Sequence, residues 1–399
     1  LRCKITYLPT FKSKTLVYLT IFIFLIPIII SAQNDSIKTS PSKFNLKVFK
    51  DPVDGKFDMS SFLIDYNGFL PVAQLITEPA LGDLGVVFTP IFIKPNKAEE
   101  EKYIPPDITM GFVGYTANKT WGFGAIRIAS LPKHHLKYRV GVVHGNVNMN
   151  FYRELPVVGE KDFGFNFNIS GAFAVLLRQI AQTELYLGLE YFYLYNKINP
   201  DFEQTRFPDF EDRVDFTDNI SSLGVNLEYD KRDNVFTPNK GLYITSDFRV
   251  SEKWTGSDYN FENVHVGVFQ YFQFTPKWVS GFRFESNLQF GEAPFFMKPA
   301  INLRGVPLAK YQGKQTYVLE TEQRYDWKPR WSSVFFGGLA KAPTENISFD
   351  ESKLVYNYGT GFRYLLARKF KLRAGVDVAW SNNDFGWYIV FGTAWNNRN

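Results

Sequence analysis

The sequence predicts an all-β fold, a transmembrane antiparallel β-barrel, and three observations carry that expectation. Aromatic residues make up 18% of the chain (40 Phe, 22 Tyr, 8 Trp), whereas hydrophobic residues reach only 45% and charged residues 21%. A bundle of membrane helices would be far more apolar, and long disordered chains lack such aromatic content. From about residue 83 the hydrophobic pattern has period two, in segments of about 10 to 15 residues separated by turn residues. The two faces of these segments are unequal: large aromatics stand on one, charge or glycine on the other. A globular core could not hold so many Phe and Tyr from so many strands. A barrel in lipid can, because its apolar face looks outward and its polar face lines the lumen.

At the N-terminus, Lys12 and Lys14 precede the apolar run 16–30, and Ser31-Ala32-Gln33 follows. This is the anatomy of a secretory signal peptide, here residues 1–32. A retained helical anchor is the alternative, but the run is short for a span and Pro27 interrupts it. Cys3 lies ahead of the apolar run, so it is no lipidation cysteine, and the mature chain would have no thiol. Removing the four basic residues of 1–33 lowers the formal net charge from +5 to +1. No basic stripe interleaves with aromatics, so nucleic acid is not an expected partner.

Residues 33–80 read as a short periplasmic segment. Asp51-Pro52-Val53-Asp54-Gly55 has turn chemistry, and Ser60 or Ser61 suits the cap of a short helix. Asp51, Asp54 and Asp58 offer carboxylates to calcium, but their spacing misses the helix-loop-helix pattern.

The barrel is expected over 81–399. In 370–380, Phe370, Leu372, Ala374, Val376, Val378 and Trp380 oppose Lys371, Arg373 and Asp377. In 355–365, Tyr356, Tyr358, Phe362 and Tyr364 oppose Asn357 and Arg363, and in the last strand Phe385, Trp387, Ile389, Phe391 and Trp395 share a face. Fifteen such strands can be counted between residues 83 and 395. Bacterial single-chain barrels have even numbers, so sixteen is expected, the missing one coming from 68–78 or from a split within 161–198. Short links such as 236–241 would be periplasmic turns, and 199–216, 292–313 and 343–353 outer loops.

The stretch from Asp230 to Tyr243, with Asp233, Pro238 and Gly241, resembles the strand–turn–strand signature of the BamA/TamA-like outer-membrane assembly superfamily, the bacterial surface antigen family. Leu303-Arg304-Gly305 resembles its inward loop motif, and Leu319–Arg324 its next strand. The resemblance covers about 217–395. Beside it stands the plain reading that Pro238 presets φ in a turn and Gly241 accepts φ > 0 ahead of a strand, as in any good hairpin. Glu320, Glu322, Arg324 and Asp326 share one strand face, which should be lumenal, as should Asp377. The resemblance implies a sixteen-stranded barrel whose Arg-Gly loop folds inward, with Arg304 paired to Glu320, Glu322 or Asp377, since a desolvated arginine needs a partner. The alternative is a solvated surface arginine.

The sequence also departs from the family pattern. Val306-Pro307 follows Arg304-Gly305 where an aromatic is usual, and glycine stands in 334–338 where the family often has Asp. Residues 33–80 are too few for one periplasmic POTRA domain. The expected first strand holds Gly82, Gly85 and Pro90, which pair weakly, so a lateral seam is expected between Gly85 and Pro90 on one side and Trp387 and Trp395 on the other.

Function follows from the resemblance: insertion or translocation of outer-membrane proteins through a weak lateral seam, in the outer membrane of a Gram-negative bacterium. The alternatives are a passive pore or structural barrel, and a barrel-rim hydrolase. No enzyme is expected, since Gly-x-Ser-x-Gly and His-Glu-x-x-His are missing. His134-His135 falls in a turn, and His144 and His265 are isolated. No metal or cofactor is expected. The expected partners are the lipid bilayer and unfolded outer-membrane proteins or an unidentified periplasmic partner, with the chain as a monomer.

Overall fold

A computed structural model describes residues 46–65, 68–82, 84–94, 96, 106–155, 159–201 and 216–395. The expected signal peptide lies outside the described residues. Of the first of two compact units, residues 1–47, only Leu46 and Lys47 are described; the second, Val48–Asn399, holds the barrel.

Sixteen strands form one antiparallel sheet in sequence order. They are β1 (Phe69–Ile76), β2 (Gly85–Lys94), β3 (Asp107–Thr116), β4 (Trp121–Leu131), β5 (Leu136–Leu155), β6 (Gly159–Gln179), β7 (Leu185–Pro200) and β8 (Phe216–Asp230). Then come β9 (Gly241–Ser251), β10 (Phe261–Thr275), β11 (Trp278–Gly291), β12 (Gln315–Asp326), β13 (Trp331–Lys341), β14 (Val355–Ala367), β15 (Leu372–Ser381) and β16 (Phe385–Phe391). The missing strand is thus β1, and the barrel begins at Phe69, ahead of the residue 81 read from the sequence. Pro71 and the mixed run Val72-Ala73-Gln74 hide β1 from a pattern search. Proline is tolerated there because β1 lies at one end of the sheet order.

Side chains alternate as two solvents demand. On β12, Thr316, Val318 and Glu320 are buried inside, whereas Leu319 and Tyr325 are 58% and 44% exposed outside. Leu189, Phe335 and Tyr358 stand out in the same way on other strands. No helix among the described residues is long and apolar enough to cross a membrane; this barrel crosses with strands.

Ahead of β1, a 3-10 turn (Leu46–Phe49) leads to a short helix, α1 (Ser60–Asp65). Leu63 of α1 packs with Leu70 and Val72 of β1, and with Ala367 and Leu372 at the base of β14 and β15. The rim carrying this segment and the short turns is called inner below; the rim carrying the 292–314 link is called outer.

Candidate functional site: the inward loop, the inner floor and the seam

The link 292–314 spans the outer end of the lumen. Its first part is a wedge of Phe295 and Phe296, packed against Phe151, Phe165 and Phe167 on β5 and β6. Its second part buries Ile301, Leu303 and Val306 against Val318, Ala340 and Val355 on the opposite wall. Between them sits Arg304, 1% exposed. Its Nη1 donates to Glu322 Oε2 at 2.7 Å and to Asp377 Oδ2 at 2.9 Å, and its Nη2 donates to Glu320 Oε1 at 2.9 Å. The guanidinium lies 3.4 Å from the centre of the Phe336 ring. The loop backbone is fixed too: Asn357 Nδ2 donates to the Arg304 carbonyl at 2.9 Å, Ser381 Oγ to the Gly305 carbonyl at 2.7 Å, and Gly305 N to Tyr388 Oη at 2.8 Å. Gly305 has φ +84, and a Cβ there would press on Ala379 at 3.2 Å, so this turn requires glycine.

The network reaches beyond the residues singled out in the sequence. Arg283 on β11 is fully buried and binds Glu285 at 2.6 Å and Glu320 at 3.1 Å. Arg363 on β14 holds Asp377, with Nη2 to Oδ2 at 3.0 Å. Glu320 and Asp377 thus each face two arginines, the condition under which burying their charges is tolerable. Lumenal parity on β11 and β14 is the signal that could have found Arg283 and Arg363. Phe336 on β13 adds a ring face under the Arg304 guanidinium.

Arg324 lies on the same face as Glu320 and Glu322, but it serves the inner rim. It donates to Asp326 Oδ1 at 3.1 Å and to Asn239 Oδ1 in the turn between β8 and β9. That turn lies across the floor of the barrel. Asp233 Oδ1 accepts from Asn239 N at 2.8 Å and Lys240 N at 3.1 Å, and Asp233 pairs with Lys371 at 3.1 Å. Asn234 accepts from the Phe236 and Thr237 amides and donates to the Phe370 carbonyl. Pro238 lies between these contacts, and Gly241 at φ +115 leads the chain into β9.

Two expectations about the seam are corrected here. Gly85 and Pro90 are in β2, which pairs with both β1 and β3, so they do not face β16. Pro90 lies opposite Pro71, and the β2–β3 register is interrupted between Phe88 and Ile91, because proline has no amide hydrogen to donate. Trp395 is not in the last strand. Gly392, at φ +77, turns the chain inward after β16, and Thr393 N donates to the Phe236 carbonyl at 2.7 Å. Trp395 is then buried between Phe269 and Tyr271, and its Nε1 donates to Glu320 Oε2 at 2.7 Å.

Trp387 does lie at the seam. β1 and β16, the two ends of the strand order, share no ladder among the described residues. Thr77 Oγ1 donates to the Trp387 carbonyl near the outer rim. At the inner rim, Phe391 packs with the cluster around Leu70 and Val72. The same rim carries an acidic clasp. Arg330, in the β12–β13 turn and 2% exposed, donates to Asp54 at 2.7 Å, Asp58 at 2.5 Å, and also Asp51. Arg368 donates its Nη2 to Asp51 at 3.0 Å. The carboxylates considered for calcium therefore hold arginines. The Arg368 hydrogen bond and the Val53 amide hold Asp51 well below the usual carboxylate range. The Arg330 hydrogen bond lowers Asp54. Burial pushes Asp58 up, but hydrogen bonds from Ser60, Arg330 and the Arg368 amide outweigh it, and the net direction is down.

Of the histidines, His135 turns the chain at φ 54 and His144 lies against Trp121 and Phe123. His265 faces the lumen between Asp247 and Glu285. No group of three or more His, Cys, Asp or Glu side chains suited to a metal occurs among the described residues.

A sixteen-stranded barrel with an inward arginine loop and an unladdered seam defines a class of outer-membrane protein. Residues 131–302 match the family model described as the Omp85 superfamily domain. Over that stretch the chain is similar to the Omp85 superfamily, in line with the barrel family that the sequence resembles. Among solved structures it is similar to BamA from Haemophilus ducreyi lacking POTRA domains 1–3, with TM-score 0.55 and 12% identity over 81% of this chain and 69% of that one. It is also similar to CdiB from Escherichia coli (TM-score 0.56, 9% identity, 80% of this chain and 61% of that one). CdiB from Acinetobacter baumannii gives TM-score 0.50 and 12% identity over 81% and 59%. Identities this low show the fold alone, and the chain spans about three fifths of either CdiB. No curated protein matches the chain.

Proposed function

We propose that this barrel inserts proteins into the outer membrane, or passes them across it, by opening the seam between β1 and β16. The observation that carries this reading is the missing ladder between those two strands in an otherwise continuous sheet. Unpaired edge groups in a membrane are costly, and an incoming strand could satisfy them. The likeness to BamA and CdiB barrels supports the same reading. The proposed partners are the bilayer and an unfolded outer-membrane protein. A passive pore fits less well, because the 292–314 loop fills the outer end of the lumen and the 231–240 turn with Trp395 lies across the inner end.

The test uses mature protein in liposomes and follows how fast an unfolded outer-membrane barrel becomes protected from protease. Thr77→Cys with Trp387→Cys would lock the seam, since those residues meet across it. Acceleration over empty liposomes, lost on oxidation and restored by reductant, is the expected result. No acceleration by the reduced protein would overturn the proposal in favour of a structural barrel.

A further inference from the structure

Between the outer loop and the inner floor the lumen keeps a cavity of about 1230 Å³. Its two walls differ in chemistry. One carries Arg139, Glu228, Asp247, Arg249, His265 and Glu285, the polar lining expected where a barrel encloses water. The other is the inward face of β2–β4, which carries Ile91, Ile108, Met110, Phe112, Ile126 and Ile128. Register and alternation place these six on one face: Ile91 pairs with Met110, Met110 with Ile126 and Ile108 with Ile128, and Phe112 follows Met110 at the same parity. The outward face of the same strands is apolar along most of its length, with Val113 and Phe123 each more than half exposed, and turns polar near the inner rim at Thr109 and Arg127. These strands are therefore apolar on both sides, and only the outward side has lipid to meet. Leaving the inward side against water forfeits the hydrophobic gain of covering it.

We propose that this wall is a binding site for one phospholipid acyl chain, admitted through the seam. Three features favour a lipid over a client strand. The apolar wall extends to Leu70 and Val72 on β1, the seam strand itself, interrupted by Gln74 and Thr89, so it reaches the sheet edge that is uncovered when β1 and β16 part. The backbone groups of β1–β4 point along the sheet to their neighbours, so a peptide lying on this face would meet side chains alone. Its amides would stay unpaired, whereas an acyl chain brings no polar group to satisfy. The opposite wall interleaves both signs of charge, Arg139 with Glu228 and Arg249 with Asp247, which suits a zwitterionic head group. The site would keep the lumen beside the seam dry while β1 and β16 part, and it stands whether or not the barrel inserts proteins.

The experiment reconstitutes the mature chain in vesicles of phosphatidylethanolamine and phosphatidylglycerol. A trace of phosphatidylethanolamine carries a photoreactive diazirine in mid-chain, and labelled residues are mapped by mass spectrometry after irradiation. Any barrel will be labelled at outward positions such as Val113, Phe123 and Ala125. The proposal expects label also at the inward alternates Met110, Ile126 and Ile128. Ile108→Asp should lower the inward label by at least about tenfold, by setting a carboxylate against the chain, and leave the outward label unchanged. Label confined to outward residues of the wild type overturns the proposal, and that reading needs no variant to fold. Inward label from a photoreactive unfolded client, without any from lipid, overturns it in favour of a client site.

Discussion

Arg304→Ala offers the sharpest test of how the inward loop is held. Breaking a buried ion pair costs about 3–5 kcal/mol when the partner is left charged and alone. Here two of the three partners are not left alone. Glu320 keeps Arg283 at 3.1 Å and Trp395 Nε1 at 2.7 Å, and Asp377 keeps Arg363. That argues for the lower end, about 3 kcal/mol, which includes the contact with the Phe336 ring. With a urea slope of about 3 kcal/mol per molar for a chain of this size, the unfolding midpoint should fall by about 1 M. The assay is urea unfolding in lipid bilayers, followed by tryptophan fluorescence and by heat-dependent gel mobility. Arg304→Lys keeps the charge but not the fork that reaches three carboxylates, so it should lie between the two. A midpoint within about 0.2 M of wild type, the size of an ordinary surface change, would refute the bracing role.

Trp395→Phe keeps a ring between Phe269 and Tyr271 but removes the donor to Glu320, and should cost about 1.5–3 kcal/mol in the same assay. Combined with Arg304→Ala it should be non-additive, because both residues act on one carboxylate; strict additivity would contradict the shared anchor. Gly241→Ala should lower the midpoint by at least about 0.3 M, since φ is +115 and the added Cβ would run into the Lys231 carbonyl oxygen. In the acidic clasp, the folded pKa values of Asp51, Asp54 and Asp58 are depressed. Their contribution is therefore complete above the ordinary carboxylate value of about 4 and is lost as pH falls through the lower folded values. Limited proteolysis should find 46–65 protected at pH 7 and pH 5 and released only well below pH 4; release already at pH 5 would contradict the clasp.

What the sequence could show follows from what sets each feature. Period-two alternation is local, so β12, β14 and β15 were legible, and so was the shared face of Glu320 and Glu322. Arg304 was marked by its motif. Arg283 and Arg363 were not marked as ion partners, because Glu320 and Asp377 come from neighbouring strands whose register the sequence does not give. β1 was legible only as one of two candidates for the sixteenth strand, since Pro71 and Ala73 blur its pattern, and the seam was assigned one strand too late. Trp395 continues the odd-numbered series of Phe385 and Trp387, but the positive φ of Gly392 ends that parity. A sequence cannot say which glycine will turn. The three aspartates at 51, 54 and 58 looked like a loop because Arg330, nearly three hundred residues away, completes their cluster.

The distribution of these ties determines where the seam should give way. The ion network of Arg283, Glu320, Arg304, Asp377 and Arg363 joins β11, β12, β14 and β15 through the inward loop. The inward faces of β2–β4 are mostly apolar and carry no comparable ion network among the described residues. The wall ending in β16 should therefore stay fixed while β1 moves. At the inner rim, β1 is held by Leu63, Leu372 and Phe391 around Leu70 and Val72, and by the buried clasp just ahead of it. At the outer rim it is held by polar contacts, Thr77 on the Trp387 carbonyl and Glu78 on the exposed Leu308 amide, where water competes for each hydrogen bond. Opening should thus begin at the outer rim and pivot near Gly68, whose φ is +77. Spin labels placed at Ile76 and Phe385 should give a broad distance distribution, and labels at Pro71 and Val390 a narrow one. Arg330→Ala should broaden the second pair. Breadth at the inner rim of the wild type, with a narrow outer rim, would reverse the assignment of which anchor is the stronger.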